Sequence, residues 1–213
     1  ALGIAVAVCA LWLSSPAQAA DTVVDLSGAV PDDGLRHFFI ELEVPTGIKE
    51  IEIAHDDLSA DNILDWGLLD EKGAFRGWGG GNSENAVVGE AAASRSYLPG
   101  PIGAGKWKIV VGKAKIKQTP ASYRVQVTMR DLATLPPQTT RTPYKAVAPL
   151  LTETRWYAGD FHVHSIESGD AKPPLDEIAA FAKGRKLDFV MLSDHNTVSQ
   201  LDFYSVAQKQ HPD

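Results

Sequence analysis

The sequence predicts an all-β sandwich or jelly-roll domain, followed by an α/β region with the element order β-α-β-α. Two patterns and one change of composition indicate this. Between residues 21 and 135, apolar and polar residues alternate in short runs separated by turn residues. Residues 136–152 are rich in proline and threonine and predict an extended linker. From residue 153 to residue 213, short apolar runs alternate with a helical pattern, which is typical of α/β folds.

Before the β-domain, residues 1–19 have the features of a secretory signal peptide. They contain an uncharged apolar run followed by the small-residue pattern Ala17-Gln18-Ala19, but not the basic start of such a peptide. The apolar run is shorter than the roughly 20 residues that cross a bilayer. We therefore expect a secreted or periplasmic protein with no transmembrane segment after signal cleavage.

The β-domain is predicted from strands in which every second residue is apolar. Such alternation buries one face of a sheet and exposes the other. Turn signals such as Gly79-Gly80-Gly81 separate the strands. The alternating apolar residues are Ile40, Leu42 and Val44; Ile51 and Ile53; Trp107, Ile109 and Val111; and Tyr123, Val125, Val127 and Met129.

The α/β region is predicted to contain two strands and two helices. A strand from Trp156 to Val163 precedes a polar loop, and Pro173-Pro174 open a helix. The apolar run from Leu187 to Leu192 is typical of a parallel strand buried on both sides. A second helix is expected near Ser199. The first helix has four apolar residues on one face: Leu175, Ile178, Phe181 and Ala182.

The charge balance argues against nucleic acid as a partner. The 213 residues include 20 basic and 27 acidic side chains, which gives a formal net charge of −7. A nonspecific DNA-binding surface needs clustered Lys and Arg to displace counterions from phosphates. A small molecule is the better expectation for the ligand.

Three histidines lie at the predicted strand ends. His162 and His164 form an H-x-H pair whose side chains share one face of a strand. His195 directly follows the next strand, and the carboxyl ends of adjacent parallel strands meet at one edge. Imidazole together with carboxylate suits zinc, manganese or iron(II), and these ions generate hydroxide from water near neutral pH. The nearby carboxylates are those of Asp160, Glu167, Asp170 and Asp194.

The two histidine motifs resemble those of a known family. H-V-H-S-I-E-S-G-D-A from His162 and S-D-H-N from Ser193 resemble the opening motifs of PHP-domain metal-dependent hydrolases, the polymerase and histidinol phosphatase type. The form is closest to the secreted CehA/McbA-like metallohydrolases, which carry a β-rich domain before the PHP domain. The resemblance covers residues 153–213.

The resemblance implies a distorted seven-stranded (β/α) barrel that holds up to three divalent metal ions. It implies that His162, His164 and His195 are metal ligands, with Asp170 as a further ligand and Glu167 as its rival. Asp194 would either orient a ligand imidazole or cap a helix. Later motifs of the family supply additional ligands that these residues do not contain, so the 213-residue chain is expected to be an inactive fragment of such an enzyme.

Three functions are therefore weighed. The first is a secreted metal-dependent phosphoesterase, and the second is a metallohydrolase that cleaves an amide, carbamate or ester. The third is a β-sandwich binding protein with an inactive PHP-like region, whose β-domain binds a glycan or another surface ligand. The sequence allows a sugar-stacking role for Trp66, Trp78 and Trp107, although core packing is the stronger expectation for them.

Overall fold

The computed structural model describes residues 21–81, 83–149 and 151–212. The predicted signal peptide, residues 1–19, lies outside the described residues. No helix in the described ranges is long and apolar enough to span a membrane. The strands are β1 Thr22–Ala29, β2 His37–Val44, β3 Glu50–Asp56, β4 Ile63–Leu69, β5 Phe75–Gly80, β6 Ala86–Gly89, β7 Gly105–Lys115, β8 Ser122–Arg130, β9 Gly159–Val163 and β10 Phe189–Leu192; the helices are a 3-10 helix Ile166–Ser168, α1 Leu175–Gly184 and α2 Leu201–Gln210.

Eight of these strands form two antiparallel sheets. The first sheet has the order β1-β8-β3-β6 and the second has the order β2-β7-β4-β5. The alternating sequence pattern explains which face of each sheet is buried, because successive side chains of a strand point to opposite faces. One hydrophobic core contains residues from both sheets, among them Ile51, Val125 and Val127 from the first and Ile40, Trp107 and Ile109 from the second.

The C-terminal strands form a separate two-stranded parallel sheet. Phe189 pairs with Gly159 and Val190 with Asp160. Helix α1 connects the two strands, and α2 follows β10. The local order is thus β-α-β-α, with a 3-10 turn in the loop after β9.

The predicted fold class, with a (β/α) barrel after the β-domain, is wrong. The fold is β-rich, most of its strands are antiparallel, and no β/α barrel pattern is present among the described residues. The β-α-β order gives a parallel pair, but a barrel needs strands paired along both edges of each strand. Here β9 and β10 pair only with each other within the described chain. Phe161 and Met191 on these strands are 67% and 48% exposed, whereas barrel strands bury their side chains.

Two details of this region also differ from the sequence pattern. Helix α1 buries Leu175, Ile178 and Ala182, but Phe181 is exposed, and the Arg185 guanidinium lies 5.1 Å from the centre of its ring. Strand β10 is only partly buried, so the apolar run does not mark a strand covered on both sides. Hydrophobic periodicity indicates which residues can be buried, but the neighbouring elements decide which of them are.

The proline-rich segment packs against the rest of the chain. No helix or strand occurs in the described part of residues 136–152. The Gln138 side chain nevertheless accepts from Ala93 N and donates to Ala93 O, at 3.1 and 3.0 Å. The Arg141 side chain is 5% exposed and contacts Asp202 at 3.4 Å. These contacts attach the segment both to the β6–β7 connection and to α2.

Candidate metal centre

The parallel pairing of β9 and β10 brings the three strand-end histidines together. His162 lies in β9, His164 directly follows it, and His195 follows β10. Ser193 N donates to Val163 O at 2.8 Å, which extends the pairing into the loops that carry the histidines. The rings of His164 and His195 lie edge to face, with centroids 4.6 Å apart.

Asp170 lies between these two imidazoles. Its Oδ2 is 3.1 Å from His164 Nδ1 and 3.3 Å from His195 Nε2. The ligand atoms of His164, Asp170 and His195 all lie within 4.8 Å of one another. Among the described residues, no other group of three or more His, Cys, Asp or Glu side chains comes this close together.

The spacing and the chemistry of these atoms fit a divalent metal ion. Two ligands of a tetrahedral zinc ion, each about 2.0–2.1 Å from the metal, lie about 3.3 Å apart. The distances from Asp170 Oδ2 to His164 Nδ1 and His195 Nε2, 3.1 and 3.3 Å, are close to this value. Two imidazoles and one carboxylate are a ligand set that borderline cations accept. The side chains of Asp170 and His195 are 52% and 61% exposed, so a metal ion and a substrate can reach them from solvent.

His162 contacts the other side of His164. The two Nε2 atoms are 3.1 Å apart, whereas the Nδ1 atom of His164 faces Asp170. The four predicted ligands thus lie in a row, each in contact with the next, in the order His162, His164, Asp170 and His195. His164 is its central member, with one ring nitrogen directed to each neighbour.

The surroundings of Asp170 favour its charged form. A hydrogen bond from Ser168, and after it one from His164, holds the pKa of the Asp170 carboxyl below its usual value. Hydrogen bonds to a carboxylate stabilise the ionised state over the protonated one. Asp170 is therefore ionised at neutral pH, as a metal ligand must be.

Asp194 connects the two loops of the site. Ser165 N and Ser165 Oγ both donate to its carboxylate at 2.6 Å. The sequence offered two roles for Asp194, orienting an imidazole or capping a helix. Among the described residues, the Asp194 side chain makes its hydrogen bonds with Ser165, and with neither an imidazole nor the start of an α-helix. A second connection runs from His195 N, which donates to Ser168 Oγ at 3.0 Å.

Glu167, the rival ligand, belongs to a buried network. Its Oε2 accepts from Ser96 N at 2.9 Å and from Ser199 Oγ at 2.6 Å. Its carbonyl oxygen accepts from Ser96 Oγ at 2.6 Å, and Arg141 lies 3.8 Å from the carboxylate. The residue is 4% exposed. Its carboxylate thus contacts the β6–β7 connection, in contrast to Asp170, which faces the imidazoles.

Several residues that shape the site were missed in the sequence. Ser165 and Ser168 stand inside the H-V-H-S-I-E-S-G-D-A motif, so the motif itself was a signal for them. Ser96 and Arg141 lie far away in the chain, and no local pattern marks them. Asp160, the fourth carboxylate considered, accepts from His162 N at 2.9 Å and so shapes the backbone before the H-x-H pair.

Comparison with known proteins gives little guidance. No protein-family model and no curated protein matches the chain. One similar solved structure is the cyanophage Pam1 capsid asymmetric unit, with 19% identity and a TM-score of 0.37, over 55% of this chain and 91% of that one. Another is PliG of Aeromonas hydrophila, a periplasmic inhibitor of g-type lysozyme, with 12% identity and a TM-score of 0.30, over 55% of this chain and 92% of that one. Likenesses this weak support no assignment of family or function.

Proposed function

We propose that this chain carries the metal site of a secreted or periplasmic metal-dependent hydrolase that cleaves phosphoesters. The observation behind the proposal is the approach of His164, Asp170 and His195, whose ligand atoms lie within 4.8 Å of one another at a solvent-exposed edge. These three residues would hold a zinc, manganese or iron(II) ion, and His162, on the opposite side of the His164 ring, would hold a second ion.

The chemistry of the proposed site follows from this ligand set. A divalent cation held by His164, Asp170 and His195 would lower the pKa of bound water and stabilise negative charge on a phosphoryl or carbonyl oxygen. Asp170 supplies the negative charge that attracts the cation, and its hydrogen bond from Ser168 keeps it ionised. Ser165, Ser168 and Asp194 fix the two loops, so that the imidazoles are oriented before a metal binds.

The preference for a phosphoester is supported by the resemblance of both histidine motifs to PHP-type hydrolases. Amide, carbamate and ester cleavage is the competing reaction, supported by the closer resemblance to the CehA/McbA-like group. The net charge of −7 argues against a nucleic acid substrate. The apolar N-terminal run supports export from the cytoplasm.

The metal site can be tested by measuring binding of Zn²⁺ and Mn²⁺ to the purified chain by calorimetry and elemental analysis. We expect at least one equivalent to bind. His164→Ala and Asp170→Asn should each weaken binding at least about 100-fold, because each removes a ligand. His37→Ala, an exposed histidine of β2, is the matched control and should bind as the wild type does. Absence of bound metal in the wild type, or equal affinity in all variants, would refute the site.

The bond that is cleaved is tested separately with the full-length protein. Bis(p-nitrophenyl) phosphate, an aryl carbamate and an aryl acetate are compared after loading with Zn²⁺ or Mn²⁺. We expect release of p-nitrophenol from the phosphodiester, and loss of this activity with a chelator and with His164→Ala. Cleavage of only the carbamate or the acetate would assign the competing reaction instead.

A further inference from the structure

The outer face of the second antiparallel sheet contains a groove that no part of the proposed metal site uses. Its volume is about 610 Å³, within the range of pockets that accept small ligands. An outer sheet face is ordinarily polar, yet here Phe39 and Phe75 are 48% and 40% exposed. The residues on which the inference depends are Arg36, Phe39, Asp65, Phe75, Trp78 and Asn196.

Trp78 forms the floor of this groove. A Cβ atom on Gly67 would lie 2.5 Å from Trp78 Cε3, and one on Gly112 would lie 3.0 Å from Trp78 Cη2. The indole therefore lies against the backbone of two neighbouring strands, β4 and β7, at positions where both residues lack a side chain. One face of the ring rests on the sheet. Trp78 is only half-buried, so the other face remains available to a ligand.

The other two core candidates among the tryptophans do not share this environment. Trp66 and Trp107 are 3% and 0% exposed and belong to the core between the sheets. The expectation of core packing is confirmed for these two residues. Trp78 alone of the three lines a groove on the sheet surface.

A carboxylate with no hydrogen-bond or ion-pair partner among the described residues stands next to the indole. The Cβ of Asp65 lies 3.2 Å from the position that a Cβ on Gly112 would occupy, beside Trp78. Asp65 is half-buried, and burial raises the pKa of its carboxyl. Neither Asp65 nor the exposed Arg36 makes a side-chain hydrogen bond or ion pair with another described residue. A half-buried carboxylate is an acceptor that favours a ligand with donors.

We propose that this groove binds a neutral carbohydrate. The apolar C–H face of a sugar ring would stack on the Trp78 indole, flanked by Phe39 and Phe75, and its hydroxyl groups would donate to Asp65. A cationic ligand could also use Trp78 and Asp65. Lys113 of the same groove is paired with Asp33 at 2.7 Å, but the exposed Arg36 guanidinium would repel a cationic ligand. Arg36 and Asp65 carry opposite charges, so a neutral ligand is favoured.

The groove reaches the loop that carries the proposed metal site. Asn196, one of its lining residues, directly follows His195. A carbohydrate held in the groove would lie beside this loop. The side-chain amide of Asn196 can donate to and accept from sugar hydroxyls. Binding in the groove needs no metal, so the proposal stands or falls independently of the hydrolase.

The test is titration of the purified chain with neutral oligosaccharides, followed by tryptophan fluorescence and calorimetry in the presence of a chelator. The probes are β-1,4-glucan, β-1,4-linked N-acetylglucosamine and mannan oligomers, with phenyltrimethylammonium as the cationic probe. We expect at least one oligosaccharide to bind with a Kd of about 1 mM or tighter. Trp78→Ala should weaken this binding about tenfold or more, since buried tryptophans dominate such contacts.

Three variants make the test specific. Phe75→Ala alters an exposed side chain and should weaken binding while the fold is retained, even if Trp78→Ala does not fold. Asp65→Asn should weaken binding severalfold. Trp156→Ala removes a tryptophan that is 97% exposed outside the groove and should leave binding unchanged. The proposal is overturned if no oligosaccharide binds, if only the cation binds, or if Phe75→Ala and Trp156→Ala behave alike.

Discussion

Ser165 has no solvent exposure, and its backbone N–H and its hydroxyl both donate to the carboxylate of Asp194. The hydroxyl oxygen also accepts from Glu167 N, at the start of the 3-10 helix. One small side chain thereby joins the loop after β9 to the loop after β10. This bond fixes the positions from which His164 and His195 face Asp170. At the scale of single residues, the candidate site depends on such supporting bonds as well as on its ligands.

This arrangement predicts the effect of Asp194→Ala. The substitution leaves the two buried donors of Ser165 without an acceptor and frees the loops to move apart. Because residues that orient metal ligands affect affinity strongly, we expect Zn²⁺ binding to weaken about 10- to 100-fold. Calorimetric titration measures the change, and circular dichroism checks that the fold persists.

The matched control for this substitution is Asp188→Ala, just before β10. Asp188 pairs with Arg155 at 2.7 Å, and its chain position is at the opposite end of the strand from His195. Its removal should leave Zn²⁺ affinity unchanged. Equal affinity of Asp194→Ala and the wild type would contradict the supporting role.

At the scale of elements, Glu50 connects strand β3 to the segment that follows β8. Its carboxylate has no solvent exposure. It accepts from Thr134 Oγ1 at 2.7 Å and from Thr134 N and Leu135 N at 3.0 Å, and Arg130 lies at 3.3 Å. Burial raises the pKa of Glu50, but the bonds from Thr134 and Leu135 and the charge of Arg130 outweigh it. The net result is a pKa below the ordinary value.

A lowered pKa in the folded state makes stability depend on pH. The charged form of Glu50 stabilises the fold above the unfolded pKa of about 4.5, and this contribution is lost as pH falls through the lower folded pKa. Glu50→Gln should therefore lower the free energy of unfolding by about 2 kcal/mol or more at pH 7. The difference from the wild type should shrink as pH falls below 4.5.

Urea unfolding between pH 7 and pH 3 measures both effects. Glu43→Gln, on the exposed face of β2, serves as the control and should change stability little at either end of this range. A constant difference between Glu50→Gln and the wild type at all pH values would contradict the assigned ionisation.

At the scale of the molecule, the β-sheets and the C-terminal region meet around Ser96. This residue, in the β6–β7 connection, is fully buried and has a φ of +69°. Its backbone N–H donates to Glu167, and its carbonyl oxygen accepts from Thr197 Oγ1 at 3.1 Å. The loop after β9 and the loop after β10 are thus both held at the same point of the β-sheet region.

Glu167→Ala tests this connection. The substitution leaves Ser96 N and Ser199 Oγ without their buried acceptor. It also removes one of the two carboxylates near Arg141, the other being that of Asp202. We expect the free energy of unfolding to fall by about 2–3 kcal/mol, as buried donors lose their partners. Urea unfolding followed by tryptophan fluorescence measures it. Glu177→Ala, on the exposed face of α1, should change stability by less than about 0.5 kcal/mol.

The outcome of Glu167→Ala also bears on the metal site. If Glu167 were a metal ligand, its removal would abolish metal binding and leave stability unchanged. The buried network predicts the opposite result: Glu167→Ala should cause a large loss of stability and a smaller loss of metal affinity.

Much of the β-region could be predicted because its strands have one buried face. Ile40, Ile51, Trp107 and Val125 lie in the core where the alternation places them. The prediction of a barrel from the β-α-β-α order was wrong. That order specifies how two consecutive strands are connected, but not which further strands pair with their outer edges. Phe181 is a smaller example. The apolar face of helix α1 includes Phe181 in the sequence, but the sequence does not show how far along the helix the elements that cover this face extend.

The sequence alone determined the spacing of the candidate ligands. The period of a strand brings His162 and His164 close together, and the parallel connection brings His195 to the same edge. Only the tertiary structure decided which carboxylate joins them. Glu167 and Asp170 lie in the same short loop, but a backbone N–H 71 residues earlier binds Glu167 and leaves Asp170 to face the imidazoles. A buried donor must be satisfied by whichever acceptor the fold brings to it, and local sequence does not contain that information.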